Sequence, residues 1–125
     1  MSYDLPMAAF HIAEFTATSW RDGSCATVQF GGELELTNEG LARAEVEIAL
    51  DRGGSELVLD LRQLTFLDAR GVHVLLDALS GCEARQRRLR VMPAPPRVQR
   101  ILDLCGVGER FELLAPDEPA EQLAA

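Results

Sequence analysis

The sequence predicts an α/β fold, with a mixed, mostly parallel sheet that begins with an N-terminal hairpin and has helices packed on it. Two β-prone runs are separated by Arg21-Asp22-Gly23-Ser24, a break that signals a hairpin. After this break, segments with helical periodicity alternate with short apolar runs. Because strand–helix–strand connections within one sheet are right-handed, the resulting order ββαβαβαβ implies a sheet that is parallel beyond the hairpin.

The first third of the chain predicts the hairpin strands and one helix. The strands are expected at residues 10–15 and 25–30, where β-prone residues cluster. Thr37 or Asn38 is suited to cap the helix, which is predicted to run to about Arg52 because two glycines follow. Its predicted buried side consists of Leu41, Ala44, Ile48 and Ala49.

The middle of the chain predicts a buried strand, a polar turn and a second helix. Leu57-Val58-Leu59 is typical of a strand buried on both faces, and Asp60 is predicted to end it. The turn Asp68-Ala69-Arg70-Gly71 opens the helix, so unpaired N–H groups and the positive dipole end lie there. The turn is therefore the first place to look for a binding site. The predicted buried face of the helix consists of Val72, Leu75, Leu76 and Leu79.

The last third predicts one more strand–helix–strand unit. A strand is expected at residues 89–92, and a short final strand at about 111–114. Between them, helical spacing relates Val98, Ile101, Leu102 and Cys105. Residues 115–125 form an acidic tail. We interpret residues 1–125 as a single domain with a core at about 8–114.

Composition excludes several classes of function. The 125 residues are 47% hydrophobic, enough to bury a core, and the net charge of −8 disfavours nucleic acids and anionic membranes. An acidic chain still suits a basic protein partner. No apolar run reaches the roughly 18 residues of a membrane span, and the N-terminus has no secretory pattern. We therefore expect a cytoplasmic protein without membrane insertion.

No residue pattern indicates catalysis, a cofactor or a metal. Cys25, Cys82 and Cys105 lack paired C-x-x-C spacing, so neither disulfides nor zinc are indicated, and all three are interpreted as core residues. His11 and His73 have no Ser or Cys partner at a diagnostic spacing. The sequence predicts a binding protein rather than an enzyme.

Four motifs, in this order and spacing, resemble the STAS domain family, which anti-sigma factor antagonists and sulfate transporters share. They are Gly32-Glu33-Leu34-Glu35, Leu57-Val58-Leu59-Asp60-Leu61, Phe66-Leu67-Asp68-Ala69-Arg70-Gly71-Val72, and Val98-Gln99-Arg100-Ile101-Leu102-Asp103-Leu104-Cys105-Gly106-Val107. The resemblance covers roughly residues 8–114. A chain of this length without a membrane span resembles the bacterial antagonist branch.

The resemblance implies a partner and a switch. Antagonists of this family bind a serine-kinase anti-sigma factor and free the sigma factor, until the kinase phosphorylates a serine in a D-S-S-G turn. By this resemblance, Asp68 matches the aspartate, Ala69 the phosphorylated serine, Arg70 the second serine and Gly71 the glycine. Because Ala69 has no hydroxyl, the phosphorylation switch cannot operate there. Glu35 stands where the family commonly has aspartate.

Structural and functional interpretations compete at these positions. Asp68 is an N-cap or a partner contact, and Arg70 is a solvated residue or a ligand for an acidic group. Thr37 is a helix cap or a second phosphoacceptor, and Thr65 carries the other hydroxyl near this site. Gly71 indicates special backbone geometry or close packing rather than chemistry. The predicted partner-binding residues are Glu35, Thr37, Asn38, Asp68, Ala69, Arg70, Gly71 and Val72.

Two functions follow from the resemblance. The first is a module that binds a serine-kinase-type anti-sigma factor in partner-switching control of transcription. The alternative is an accessory STAS subunit of a lipid or small-molecule transport system.

Overall fold

The computed structural model describes residues 14–114, which form five strands and three α-helices in the predicted order ββαβαβαβ. The strands are β1 (Phe15–Asp22), β2 (Cys25–Leu34), β3 (Glu56–Leu67), β4 (Arg88–Met92) and β5 (Glu112–Leu113). The helices are α1 (Glu39–Asp51), α2 (Ala69–Ala84) and α3 (Pro96–Leu104), with 3-10 turns at Leu36–Asn38 and Gly108–Arg110. The predicted tail at 115–125 lies outside the described residues.

The strands lie in the sheet in chain order. β1 and β2 form the predicted antiparallel hairpin, which turns between Asp22 and Cys25, and β2 to β5 are parallel. Each parallel crossover advances by one strand in the same direction. Because crossovers between parallel strands are right-handed, the three connecting helices lie on the same face of the sheet. The predicted mixed, mostly parallel sheet is confirmed.

The main core fills the space between this sheet face and the helices. Alternate residues of β2 and β3, such as Val28, Phe30 and Leu59, are completely buried in it. The buried helix residues in the core include Ala42, Val46, Ala49, Leu50, Val72, Leu75, Ala78, Val98 and Leu102. Burying each large apolar side chain stabilises the fold by roughly 1.5–3 kcal/mol. This packing fixes where β2 and β3 end, and so positions the loops that follow them.

β3 does not end at Asp60, as the sequence predicts, but continues to Leu67. The Asp60 side chain is buried, yet its carboxylate accepts hydrogen bonds from Arg62 Nε and Nη2 and from Gln29 Nε2, all at 2.9 Å. A buried charge is tolerated when its hydrogen-bonding capacity is met. The charged residue therefore stays within the strand.

The first strand of the sheet covers residues 15–22, whereas the sequence predicts a strand at residues 10–15. Residues 10–13 of that prediction lie outside the described residues, and β1 begins at Phe15. The hydrophobic alternation along β1 is weak, because its inward-facing residues, Phe15, Ala17 and Ser19, are only half-buried and one of them is polar. β1 is an edge strand, so a modest apolar face is enough and hydrophobicity locates it poorly.

α1 buries a different side from the one predicted. Leu41 and Ile48 are 64% and 43% exposed, Ala44 is also exposed, and only Ala49 of the predicted set is buried. The buried residues of α1 are Ala42, Val46, Ala49 and Leu50. The helix has apolar residues on two sides, and periodicity alone does not show which side meets the sheet.

The cysteine prediction holds at two of three positions. Cys25 and Cys82 are buried, whereas Cys105 is exposed. Cys105 is wrongly predicted because α3 ends at Leu104, so its side chain follows the last helical turn instead of lying on the buried face with Val98.

Candidate functional site

The segments that follow β2 and β3, each of which leads into a helix, meet at the carboxyl ends of these strands. They contain residues 35–38 and 68–72, the two segments that the sequence singles out. The backbone N–H of Asp68 donates to the carbonyl oxygen of Leu34 at 3.3 Å, which joins the two loops directly. Neighbouring parallel strands end at the same edge of a sheet, so this proximity is a consequence of the topology.

Asp68 caps α2 and also holds the first loop. Its Oδ1 accepts the N–H of Gly71 at 3.0 Å, and its Oδ2 accepts the N–H of Leu36 at 3.4 Å. One carboxylate thus satisfies an orphan amide of α2 and fixes the neighbouring loop. The capping interpretation of Asp68 is confirmed, while its contact with a partner stays a prediction.

Gly71 allows α2 to lie close to the end of β2. A Cβ atom at this position would lie 2.6 Å from the carbonyl oxygen of Leu34 and 2.5 Å from Cδ1 of Leu67. Both separations are far below van der Waals contact, and one involves rigid backbone. The predicted close packing at Gly71 is therefore confirmed.

Ala69 and Arg70 form the exposed tip of the turn. Ala69 presents only a methyl group, and the Arg70 side chain is 56% exposed. Arg70 Nη1 lies 3.5 Å from Oε1 of Glu39 at the start of α1, and Glu39 also accepts Arg43 Nη2 at 2.9 Å. The guanidinium group of Arg70 is thus paired with Glu39, but more than half of the Arg70 side chain remains exposed to solvent.

Thr37 does not cap α1 as predicted. It lies within the 3-10 turn that precedes the helix, and its Oγ1 donates to Oε2 of Glu35 at 3.3 Å. The extra turn moves the helix start to Glu39, which places Asn38 at the N-cap position. Thr37 is exposed, so its hydroxyl remains on the surface beside the Asp68 turn.

Asn38 and Val72 are buried, which limits their part in a binding surface. The Asn38 amide donates from Nδ2 to the carbonyl oxygen of Glu33 at 2.6 Å, without serving as a side-chain cap. The Val72 side chain lies in the main core. Among the predicted partner-binding residues, Thr37, Ala69 and Arg70 are the exposed ones.

Two residues of this surface are absent from the predicted partner-binding residues. Leu36 is 59% exposed although it is a large apolar residue, and its N–H binds Asp68. Glu39 pairs with Arg70. The position of Leu36 directly before the predicted helix was a sequence signal that could have indicated its exposure. No local sequence pattern predicts that Glu39 pairs with a residue of another helix.

The carboxylates at this edge, those of Asp68 and Glu39, are engaged by backbone amides and by guanidinium groups. Within residues 14–114, no cluster of three or more His, Cys, Asp or Glu side chains is arranged to hold a metal ion. None of the helices in this described range has the length and apolar character needed to cross a membrane.

Comparison with known proteins agrees with this geometry. The sequence profile described as "Mlab, STAS domain" matches residues 18–115. The chain belongs to the STAS domain family. An anti-sigma F factor antagonist from Paenibacillus polymyxa is 30% identical to this STAS domain over 81 residues, which make up 64% of the chain and 69% of the antagonist. The resemblance drawn from the four motifs is thereby confirmed.

Solved structures share the fold of this STAS domain. An anti-sigma factor antagonist from Mycobacterium paratuberculosis superposes with a TM-score of 0.72 at 19% identity, covering 80% of this chain and 85% of that one. A sulfate transporter family protein from Wolinella succinogenes superposes with a TM-score of 0.62 at 19% identity, covering 81% and 83%. At these identities the likeness concerns the fold.

Proposed function

We propose that this STAS domain is a non-enzymatic, antagonist-like module that binds a serine-kinase-type anti-sigma factor in the cytoplasm. The proposed contact surface comprises the turn at 68–72 and the loop at 35–38. Family membership and the antagonist relative from Paenibacillus polymyxa support the class of partner. The exposed tip formed by Ala69 and Arg70, with Leu36 beside it, supports the location.

The observation that carries the proposal is the exposed methyl group of Ala69 at the start of α2. Phosphorylation at such a position would add roughly −1.5 to −2 charges and disrupt a docked interface. Ala69 has no hydroxyl to accept phosphate, and the adjacent Arg70 is already paired with Glu39. Binding at this turn is therefore expected to be constitutive with respect to the kinase activity of the partner.

The test is a calorimetric titration with each serine-kinase-type anti-sigma factor encoded in the same genome, with and without ATP. We expect one of them to bind the parent protein equally well in both conditions. Ala69→Glu supplies about one of the charges of a phosphate and should weaken binding at least about tenfold. Arg70→Ala should weaken it as well, and more at low salt, if the guanidinium contacts a partner carboxylate.

A matched variant tests whether the turn faces the kinase active site. The double change Ala69→Ser with Arg70→Ser recreates the D-S-S-G turn, since Asp68 and Gly71 are retained. We expect this variant to accept phosphate and then to lose its partner. Stoichiometric phosphate on Thr37 or Thr65 of the parent, with loss of binding, would contradict constitutive binding. Unchanged affinity in all folded turn variants would place the interface elsewhere.

A second candidate function is an accessory STAS subunit of a lipid or small-molecule transport system. Its motivation is that a sulfate transporter family protein from Wolinella succinogenes shares the fold. Absence of binding to every anti-sigma factor tested, together with co-purification of transporter subunits, would support this candidate over the first.

A further inference from the structure

The face of the sheet opposite the three α-helices carries a hollow between β1, β2 and β3. Its volume is about 430 Å³, and its polar lining consists of Glu14, Thr16, Gln29 and Gln63. Gln29 belongs to this face because its neighbours in β2, Val28 and Phe30, are buried in the main core on the other side. Clefts of roughly 300–1,000 Å³ are the size that holds small molecules.

A bulge in β3 turns Gln63 towards this hollow. β3 advances three residues, from Asp60 to Gln63, while β2 advances only two, from Gln29 to Gly31. Arg62 and Gln63 are therefore both exposed, although successive residues of a regular strand face opposite sides. Bulges re-aim side chains in this way and are frequent beside functional sites.

Gly31 keeps the hollow open. A Cβ atom at this position would lie 2.8 Å from Oγ1 of Thr16 and 3.3 Å from Cβ of Gln63, two residues of the lining. The φ angle of Gly31 is not positive, so the strand conformation itself does not require glycine here. The missing side chain instead leaves room between β1 and β3, as glycine does where a ligand approaches a strand closely.

The polar lining has hydrogen-bonding capacity that the protein does not use. Gln29 donates from Nε2 to Oδ2 of Asp60 at 2.9 Å, which leaves its Oε1 as an acceptor. Within residues 14–114, the side chains of Glu14, Thr16 and Gln63 have no hydrogen-bond partner. A ligand in the hollow would therefore meet groups that are already free to bind it.

The charge of the lining indicates which ligands fit. The Glu14 carboxylate is its only charged group, and its acceptor oxygens outnumber its donors. Arg62, next to Gln63 in the chain, has its guanidinium bonded to Asp60 through Nε and Nη2, both at 2.9 Å. These two neighbouring charges offset each other, so the negative charge of Glu14 is the one that a ligand meets. An ammonium group supplies the complementary charge and three N–H donors.

We propose that the hollow binds a small aliphatic amine. Its ammonium groups pair with the carboxylate of Glu14 and donate to the amide oxygens of Gln29 and Gln63, since charge-assisted hydrogen bonds are the stronger ones. The site is separate from the proposed contact surface and does not depend on the proposed function.

The test is a titration of the isotope-labelled protein with putrescine, followed by NMR. We expect saturable shifts of the backbone N–H of Gly31 and of the side-chain amides of Gln29 and Gln63. Gly31→Ala and Gln63→Ala should each weaken binding about tenfold, with circular dichroism to verify folding. Gly40→Ala is the matched control, because its added Cβ meets no atom within 4 Å, and it should bind like the parent.

Two further comparisons separate the site from general attraction of amines to an acidic protein. Glu14→Gln should weaken putrescine binding about tenfold, whereas Glu109→Gln, at an exposed carboxylate outside the hollow, should not. Butanediol that binds as tightly as putrescine would overturn the assignment of an amine. Shifts that are absent from Gly31 and Gln63, or unchanged by Gly31→Ala and Gln63→Ala, would overturn the site. No anti-sigma factor enters these measurements, so their failure leaves the proposed function untouched.

Discussion

At the start of α2, the small size of two residues, Ala69 and Gly71, determines the packing of the turn and the groups that it exposes. The absent Cβ of Gly71 lets the helix approach the carbonyl oxygen of Leu34, and the absent hydroxyl of Ala69 leaves no phosphoacceptor at the tip. Asp68 then fixes the turn between these positions by bonding the amides of Gly71 and Leu36. The shape of the turn thus follows from packing and capping, and its charge follows from Arg70 and Glu39.

The close contact at Gly71 is tested by Gly71→Ala. The added methyl group would lie 2.6 Å from the carbonyl oxygen of Leu34, so α2 must shift. We expect the free energy of unfolding in urea to fall by about 1–3 kcal/mol. Gly40→Ala is the matched control, because an added Cβ in α1 has no neighbour within 4 Å and alanine favours helix. A loss of stability in the control alone would contradict this account.

Thiol reactivity provides a second prediction at the residue scale. Burial raises the pKa of the Cys82 thiol to about 11, so little reactive thiolate forms near neutral pH. Cys25 is also buried, whereas Cys105 is exposed. Iodoacetamide at pH 7.5 should therefore label Cys105 first in the folded protein and all 3 cysteines in urea, as read by mass spectrometry. Equal labelling of Cys82 and Cys105 before unfolding would contradict the described packing.

At the scale of elements, two ion pairs hold the strands that follow β3, and they differ in burial. Glu56 on β3 pairs with Arg90 on β4, and both side chains are at least 95% buried. Arg88 on β4 pairs with Glu112 on β5, and about half of each side chain is exposed. Solvent screens the second pair, whereas the first leaves an uncompensated charge if one partner is removed.

The two ion pairs predict different costs for similar substitutions. Arg90→Ala should lower the free energy of unfolding by about 3–5 kcal/mol, because Glu56 would remain buried without this partner. Arg88→Ala, the matched control, should cost much less, because solvent screens its pair with Glu112. The double change Glu56→Leu with Arg90→Met should recover most of the first loss, since it removes both charges. Equal losses in the two single variants would show that burial does not distinguish these pairs.

At the scale of the whole molecule, two carboxylates make the free energy of unfolding depend on pH. Burial raises the pKa of Asp60, but hydrogen bonds from Arg62 and Gln29 outweigh it and hold the pKa below its ordinary value of 3.8. The hydrogen bond from Arg88 holds the pKa of Glu112 below its ordinary value of 4.5. Because both pKa values are lower in the folded state, their stabilisation is present above the ordinary values and is lost as pH falls through the lowered ones.

Urea unfolding between pH 7 and pH 3 tests this dependence. We expect the free energy of unfolding to decrease below about pH 4. Asp60→Asn should cost about 1.5–3 kcal/mol at pH 7, since hydrogen bonds to a charged acceptor are lost. The difference between this variant and the parent should shrink as the solution is acidified. A constant difference from pH 7 to pH 3 would mean that the charge of Asp60 does not stabilise the fold.

Much of this molecule was predictable because its determinants are local. The hairpin break, the alternation of strand and helix patterns, and the cap at Asp68 all depend on neighbours within a few residues. They predicted the element order, the parallel sheet and the start of α2, which the structure confirms. The resemblance to the STAS family and the absence of a hydroxyl at Ala69 were likewise evident from the sequence. The single-domain boundaries at 1–125 and the partner-binding roles of the site residues stay predictions.

The tertiary structure decided the features that depend on distant partners. Asp60 remains inside β3 because Gln29 of the neighbouring strand and Arg62 satisfy its charge. The buried side of α1 is set by the sheet and α2, so Leu41 and Ile48 lie on the surface although their spacing suits a core. The ion pair between Arg70 and Glu39 forms because two helices begin at the same edge of the sheet. A residue's neighbours in sequence determine its local conformation, but burial and charge pairing depend on what the fold brings next to it.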